Sequence, residues 1–135
     1  MILAALQAVH AAAGRVLGVN PQMPAGPQHP RSTHWPAFRA RVIAGQPACE
    51  CCGRAEKLEV HHIVPFHIEP NLELERENVM VLCEGDTWNC HLWVGHLGDF
   101  RRRYNPEARH DAAVWWQKIC TAVPHVENTA LGRVV

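Results

Sequence analysis

The sequence predicts a small α+β domain, in which two strands and several helices surround a metal-binding core. Residues 58–64 and 79–82 are rich in β-branched and apolar residues and have the length of strands. Apolar residues recur at helical spacing in the segments on either side of them. The 135 residues amount to about one domain, so a second independent domain is not expected.

The N-terminal part is expected to lie outside the main domain. Residues 2–17 predict an amphipathic helix, because apolar residues recur at helical spacing at Ile2, Leu6, Val9, Ala13 and Leu17. Residues 19–36 contain five prolines, a composition typical of an extended linker. We therefore divide the chain into an N-terminal helix and linker (1–30), a main domain (31–124) and a C-terminal tail (125–135).

Three further helices are expected within the main domain. Residues 35–44 predict a short helix, and residues 65–77, between the two strands, predict a loop. Residues 92–104 predict a helix that is bent near its glycines, and residues 106–122 predict a last helix that begins at a proline. One side of that last helix is apolar, at Ala112, Trp115, Trp116, Ile119 and Cys120.

The charge balance is neutral, with 13 basic and 13 acidic residues, so composition by itself gives no support for nucleic-acid binding. The run of Arg101, Arg102 and Arg103 is either a solvated helix face or a site for phosphate contacts. The apolar N-terminal stretch lacks a positive leader and is interrupted by polar residues, which fits neither a signal peptide nor a membrane span. We therefore expect a cytoplasmic protein with reduced cysteines and no membrane partner.

Clustered cysteines in a reducing compartment indicate metal binding rather than disulfides. Cys49 and Cys52 form a Cys-x-x-Cys pair, and Cys83 and Cys90 form a second, more widely spaced pair. Because two turns can direct four thiolates at one ion, these residues predict a tetrahedral structural Zn²⁺ site. Two alternatives remain open, namely buried free thiols and Cys51 in place of Cys52 as the ligand.

Two adjacent histidines, His61 and His62, follow a strand-like run, and neighbouring side chains on a strand point to opposite sides. One imidazole can therefore bind a metal while the other holds a water. That division suits phosphodiester hydrolysis, in which a base activates water and a cation stabilises charge on the phosphate. Asn78 is interpreted as accepting a proton from the base and fixing its tautomer, or else as a plain turn residue, and His91 as a further metal ligand.

Three segments together are characteristic of a known family, namely His61-His62-Ile63-Val64-Pro65, Asn78-Val79-Met80-Val81-Leu82-Cys83 and Asn89-Cys90-His91-Leu92. Upstream, the same pattern includes Arg31, Ser32, Trp35, Arg39 and the segment from Cys49 to Gly53. Over roughly residues 31–110 the chain resembles the HNH endonuclease family. The resemblance implies a ββα-metal core, a hairpin followed by a helix around one catalytic divalent ion, often stapled by a zinc ion on four cysteines.

The resemblance also implies a role for each motif residue. His61 becomes the first metal ligand, His62 the general base, Asn78 the residue that positions the hairpin of the base, and His91 the second metal ligand. His96 is a candidate third ligand, although it lies five residues beyond His91, where a spacing of four would place both most directly on one helical face.

The resulting hypothesis is a hydrolase that cuts or nicks DNA with one catalytic divalent metal, which is Mg²⁺, Mn²⁺, Ni²⁺ or Zn²⁺. The arginine run would contact phosphates. Trp88 and Trp93 are candidates for stacking on bases, but at least one of them is expected to pack in the core instead. A double-strand break would require a homodimer or two successive nicks. The alternative is a non-catalytic zinc module for nucleic acid or protein, which leaves the pair of His61 and His62 unexplained.

Overall fold

The computed structural model describes residues 29–122, so the helix predicted for residues 2–17 and the tail from residue 125 lie outside the described part. Within these residues, two α-helices and a two-stranded antiparallel sheet make up most of the regular structure, namely α1 (Trp35–Gly45), β1 (Leu58–His62), β2 (Val79–Cys83) and α2 (Ala108–Ala122). A single π-helical turn, His91–Gly95, follows β2. The predicted α+β class is confirmed, and this arrangement is compatible with a ββα core.

The two strands pair so that Val60 lies opposite Val81 and His62 opposite Val79. All five residues of β2 are buried, because helical elements cover both faces of the sheet. On one face, Val79 and Val81 pack with Val60 and with Phe38 and Val42 of α1. This first core holds α1 against the sheet.

The second core lies on the opposite face of β2, where Met80 and Leu82 pack with Val94 of the π-helical turn and with Ala108 and Ala112 of α2. The cysteines of the predicted zinc site belong to the same cluster. Alternate residues of β2 therefore hold two separate layers together, which explains why its sequence is a continuous apolar run.

The free edge of β2 is covered by a buried carboxylate. Glu50 accepts a hydrogen bond from the Val81 N–H at 2.9 Å, and its own N–H donates to the Val81 carbonyl at 2.8 Å. Arg109 of α2 approaches the same carboxylate at 3.4 Å and donates to the Val79 carbonyl at 2.8 Å. Backbone groups that an edge strand would expose are thus satisfied within the domain.

Three details differ from the sequence-based expectations. The helix predicted for residues 92–104 is wrong beyond Gly95, because Leu97 and Gly98 take left-handed conformations, with φ of 49° and 85°, that end it. The loop at residues 65–77 contains the 3₁₀ turn Pro70–Leu72 and the start of a second one, Arg76–Asn78. Trp115, expected on the apolar side of α2, is 53% exposed.

Within residues 29–122 no helix has the length and apolar character that crossing a membrane requires.

Gly53→Ala is expected to destabilise the domain by about 1–3 kcal/mol, because Gly53 has a left-handed φ of 76° and an added Cβ would lie 2.6 Å from the Trp116 ring. Gly45→Ala is the matched control, since nothing lies within 4 Å of its Cβ position. Urea unfolding of both variants measures the difference. Equal free energies of unfolding for the two variants would contradict the expectation.

Candidate functional site

Four cysteine sulfurs form a compact cluster beside the sheet. The Sγ atoms of Cys49, Cys52, Cys83 and Cys90 all lie within 4.8 Å of one another, and those of Cys52 and Cys83 are 3.7 Å apart. Zinc binds thiolates at about 2.3 Å, so the sulfurs of a tetrahedral site are separated by about 3.8 Å. The cluster therefore has the dimensions of a structural zinc site.

Local turns explain how distant cysteines converge. The first pair sits in a turn closed by the Gly53 N–H, which donates to the Cys49 carbonyl at 2.8 Å. The second pair is brought together although six residues separate it, because the Gly85 N–H donates to the Trp88 carbonyl at 2.9 Å and folds the loop back. The wider spacing is thus accommodated by a hairpin-like turn.

The structure selects Cys52 rather than Cys51 for this cluster. Cys51 is buried and belongs to the apolar core next to the four sulfurs, outside the set that converges. Hydrogen bonds from Cys52 and Cys90 lower the pKa of the Cys49 thiol, and hydrogen bonding with Cys49 raises the pKa of the Cys52 and Cys90 thiols. The thiolate, the form of cysteine that binds zinc, is therefore favoured at Cys49.

A second cluster contains three imidazoles, those of His61, His91 and His96. One ring nitrogen from each lies within 4.8 Å of the others, and the ring centroids are 5.0 to 5.2 Å apart. His61 comes from the end of β1, and the other two come from the π-helical turn and the residue after it. The hairpin and the turn that follows it therefore meet at one point.

The π-helical turn accounts for the spacing of five residues between His91 and His96. The His96 N–H donates to the His91 carbonyl at 3.1 Å, an i to i+5 hydrogen bond. Such a turn brings residues five apart onto one side, as a regular α-helix brings residues four apart. The geometry therefore includes His96 in the cluster.

Hydrogen bonds to the outer ring nitrogens leave the inner ones free. His91 Nδ1 lies 2.5 Å from a carboxylate oxygen of Glu84, and His96 Nδ1 lies 2.8 Å from the Arg103 carbonyl. Because these oxygens accept hydrogen bonds, each Nδ1 carries the proton and each Nε2 keeps its lone pair. Both imidazoles are thus prepared to bind a cation through Nε2.

His61 is the most buried member, at 2% exposed, and among residues 29–122 its Nε2 has no hydrogen-bond partner. Burial lowers the pKa of His61 well below its usual value of 6.5, and the neighbouring His91 and His96 lower it further. An unpaired polar atom in such a place is costly unless a ligand satisfies it. The residues therefore fit a divalent metal ion.

His62 points to the other face of β1, towards α1. Its Nε2 lies 3.0 Å from the Glu73 carbonyl, and its ring stacks on Trp35 with centroids 4.7 Å apart. A carbonyl can only accept, so Nε2 carries the proton and Nδ1 is the basic nitrogen. Burial lowers the pKa of His62, which keeps the ring neutral.

Asn78 is fully buried and binds the loop that follows β1. Its Oδ1 accepts from the Val64 N–H at 2.9 Å, while its Nδ2 donates to the carbonyls of Val64 at 3.0 Å and Leu72 at 3.2 Å. The His62 ring is hydrogen-bonded to the Glu73 carbonyl and not to Asn78. The expectation that Asn78 fixes the tautomer of the base directly is therefore wrong. Asn78 instead ties the start of β2 to the backbone beyond the histidine pair.

Residues 49–95 match the family model described as HNH endonuclease. This segment is similar to an HNH domain. It spans about a third of the chain and contains all four clustered cysteines, the histidine pair, Asn78 and His91, and it ends one residue before His96. Neither the curated proteins nor the solved structures contain a significant match to the chain.

The surface near the three clustered histidines carries the arginine run and several aromatic rings. Arg101, Arg102 and Arg103 are exposed. Arg101 and Arg102 lie in a turn and Arg103 follows it in irregular chain, so the run is not on a helix face. Phe100 contacts both His91 and His96, with centroids 5.1 and 4.9 Å apart. Trp88 and Trp93 are 48% and 66% exposed, so the expectation that one of them packs in the core is wrong.

Sequence reasoning missed Glu84, Glu73 and Gly95. Glu84 directly follows a cysteine ligand candidate, a position from which its carboxylate reaches His91. A Cβ on Gly95 would lie 2.9 Å from the His61 ring, so a glycine is needed for the close approach. The position of Gly95 between His91 and His96 is the sequence feature that could have identified it. Nothing in the sequence marks Glu73, which acts through its backbone carbonyl.

The Cys52→Ser variant is expected to lose its zinc ion and to be largely unfolded, because the four cysteines join the two cysteine-bearing turns to the sheet. Cys51→Ser is the matched control and should keep the zinc. Metal content by mass spectrometry and thermal unfolding test both variants. Zinc loss in Cys51→Ser with retention in Cys52→Ser would show that the neighbouring sulfur is the ligand.

Glu84→Gln is expected to weaken divalent-metal binding at the three histidines by about 10–100-fold, since the carboxylate orients His91. Asp86→Asn removes the same charge from the same loop, where the side chain is fully exposed, and should have little effect. Calorimetric titration with Ni²⁺ or Mn²⁺, with structural zinc in place, measures both affinities. Equal losses in the two variants would indicate a general charge effect instead.

Proposed function

We propose that this protein is a metal-dependent endonuclease that hydrolyses phosphodiester bonds in DNA. The observation that carries the proposal is the pairing of two different histidine environments on adjacent residues of β1. His61 joins two other imidazoles at a metal-sized cluster, whereas His62 is neutral and oriented by a backbone carbonyl. The match to the HNH endonuclease model supports nuclease chemistry for this arrangement.

His62 acts as the general base in this proposal. Its Nδ1 takes a proton from a water molecule while the water oxygen forms a bond to phosphorus and the bond from phosphorus to the leaving oxygen breaks. The Glu73 carbonyl holds the Nε2 proton throughout, and the resulting imidazolium keeps that hydrogen bond. Because burial lowers the pKa of His62, the ring is available as a base at neutral pH.

His61, His91 and His96 would hold the catalytic divalent ion. When bound, such an ion stabilises negative charge on the phosphate and on the leaving oxygen. Imidazole ligands favour Zn²⁺, Ni²⁺ or Mn²⁺, whereas Mg²⁺ prefers oxygen ligands but is abundant enough to support activity. Glu84 and the Arg103 carbonyl keep the imidazoles of His91 and His96 in the ligand tautomer.

The remaining residues support binding and geometry. Cys49, Cys52, Cys83 and Cys90 would hold the structural zinc, and Asn78 positions the loop beside the base. Arg101, Arg102 and Arg103 would bind backbone phosphates, which adds affinity without sequence information. The backbone of this arginine run is hydrogen-bonded to the histidine cluster, because the Arg103 carbonyl accepts from His96 Nδ1.

We infer that one such centre nicks a single strand. A double-strand break then requires either a homodimer or two successive nicks. A cytoplasmic location would keep the cysteine thiols reduced and free to bind zinc.

His62→Ala is expected to reduce nicking of supercoiled plasmid by about 10²–10⁴-fold, because the attacking water loses its base. The assay uses protein stripped of weakly bound metal, with Mg²⁺, Mn²⁺, Ni²⁺ or Zn²⁺ then added back. His110→Ala, which changes an exposed histidine on α2, is the matched control. Binding of zinc and DNA without cleavage by the unaltered protein under every metal would favour a non-catalytic binding module.

A further inference from the structure

The guanidinium of Arg31 lies between two aromatic rings close to His62. Its central carbon is 4.8 Å from the centroid of Trp35 and 4.8 Å from that of Phe66. The side chain remains 49% exposed, yet it also forms an ion pair with Glu73 at 3.3 Å. An arginine suits this place, because its planar group can stack on rings while its N–H groups donate to a carboxylate.

Glu73 connects this arginine to the imidazole of His62. Its side chain is 5% exposed, and its second carboxylate oxygen accepts from the Ser32 N–H at 2.9 Å. A buried carboxylate requires such partners, because leaving it unpaired would be costly. The backbone carbonyl of the same residue accepts from His62 Nε2. Glu73 therefore binds Arg31 and Ser32 through its carboxylate and His62 through its backbone carbonyl.

Trp35 completes a closed arrangement. It stacks on His62 at an interplanar angle of 29° and on the Arg31 guanidinium. The four residues are thus linked in a ring of contacts, in which Arg31 binds Glu73, Glu73 binds His62, His62 stacks on Trp35, and Trp35 contacts Arg31. Neither the four cysteines nor the three metal-site histidines take part in it.

We propose that Arg31 and Glu73 are positioning residues for His62, acting through the Glu73 carbonyl and the Trp35 ring; the proposal rests on the endonuclease function proposed above. The pair fixes the loop that carries the carbonyl to the segment that carries the tryptophan. Loss of either charge leaves its partner uncompensated and releases the imidazole from its orientation. General-base catalysis then suffers, because it depends on a fixed approach of the base to the water.

Arg31→Gln is expected to lower kcat for plasmid nicking by about 10–100-fold while leaving KM for DNA nearly unchanged. Glu73→Gln should show the same pattern, and Arg31→Lys should recover part of the activity, since it keeps the charge but not the planar stacking. Arg39→Gln is the matched control, because Arg39 also links α1 to β1 through an ion pair, with Glu59 at 2.8 Å, away from His62.

A double-mutant cycle separates positioning from general damage. In a His62→Ala background, Arg31→Gln should cause almost no further loss, because the group it positions is absent. A full additional loss in that background would overturn the proposal. A raised KM with a smaller salt dependence would also overturn it, since that result indicates a direct phosphate contact instead.

An NMR measurement tests the same proposal independently of activity. In the unaltered protein the His62 ring should show the Nε2–H tautomer and proton shifts caused by the Trp35 ring. Arg31→Gln should give a mixture of tautomers and smaller ring shifts, while Arg39→Gln leaves both unchanged. Absence of cleavage by the unaltered protein would count against the endonuclease function, whereas an unchanged His62 spectrum in Arg31→Gln would count against the positioning role.

Discussion

Successive side chains of β1 point to opposite faces of the sheet, and the functional groups of the domain are arranged around that alternation. His61 lies on the face shared with the π-helical turn and α2, and its imidazole joins those of His91 and His96 there. His62 lies on the face shared with α1, where Trp35 and Glu73 hold it. A shift of one residue in the strand register would exchange the two environments, so the pairing of β1 with β2 must be fixed.

A two-stranded sheet is too small to fix its own register, and the domain supplies several anchors for it. The cysteine cluster joins two loops at one end, where Cys83 pairs with Leu58. At the other end, Asn78 holds the backbone at Val64 and Leu72. These anchors are hydrogen bonds and candidate metal bonds rather than apolar packing. A small domain with two thin cores depends on such directional contacts.

The cluster of three histidines depends in a similar way on an irregular helix. A π-helical turn is less common than an α-helical one, and it is found frequently at functional sites. Here it is secured by Asn105, whose Nδ2 donates to the Val94 carbonyl at 2.9 Å and whose N–H donates to the Gly95 carbonyl at 2.9 Å. Gly95 permits the turn to approach His61 closely. The histidine spacing of five residues and the turn are therefore two aspects of one geometry.

The sequence by itself determined the elements whose signals are local. Strand composition identified β1 and β2, the Cys-x-x-Cys pair indicated the zinc cluster, and two adjacent histidines on a strand implied two different environments. Tertiary structure decided what depends on distant contacts: Cys52 over Cys51, the inclusion of His96, and Glu73 as the hydrogen-bond partner of His62. The helix predicted beyond Gly95 was wrong because local periodicity does not register the left-handed turn at Leu97 and Gly98. Contacts between residues far apart in sequence depend on packing and on hydrogen bonds to backbone carbonyls. Neither can be read from the type of a residue.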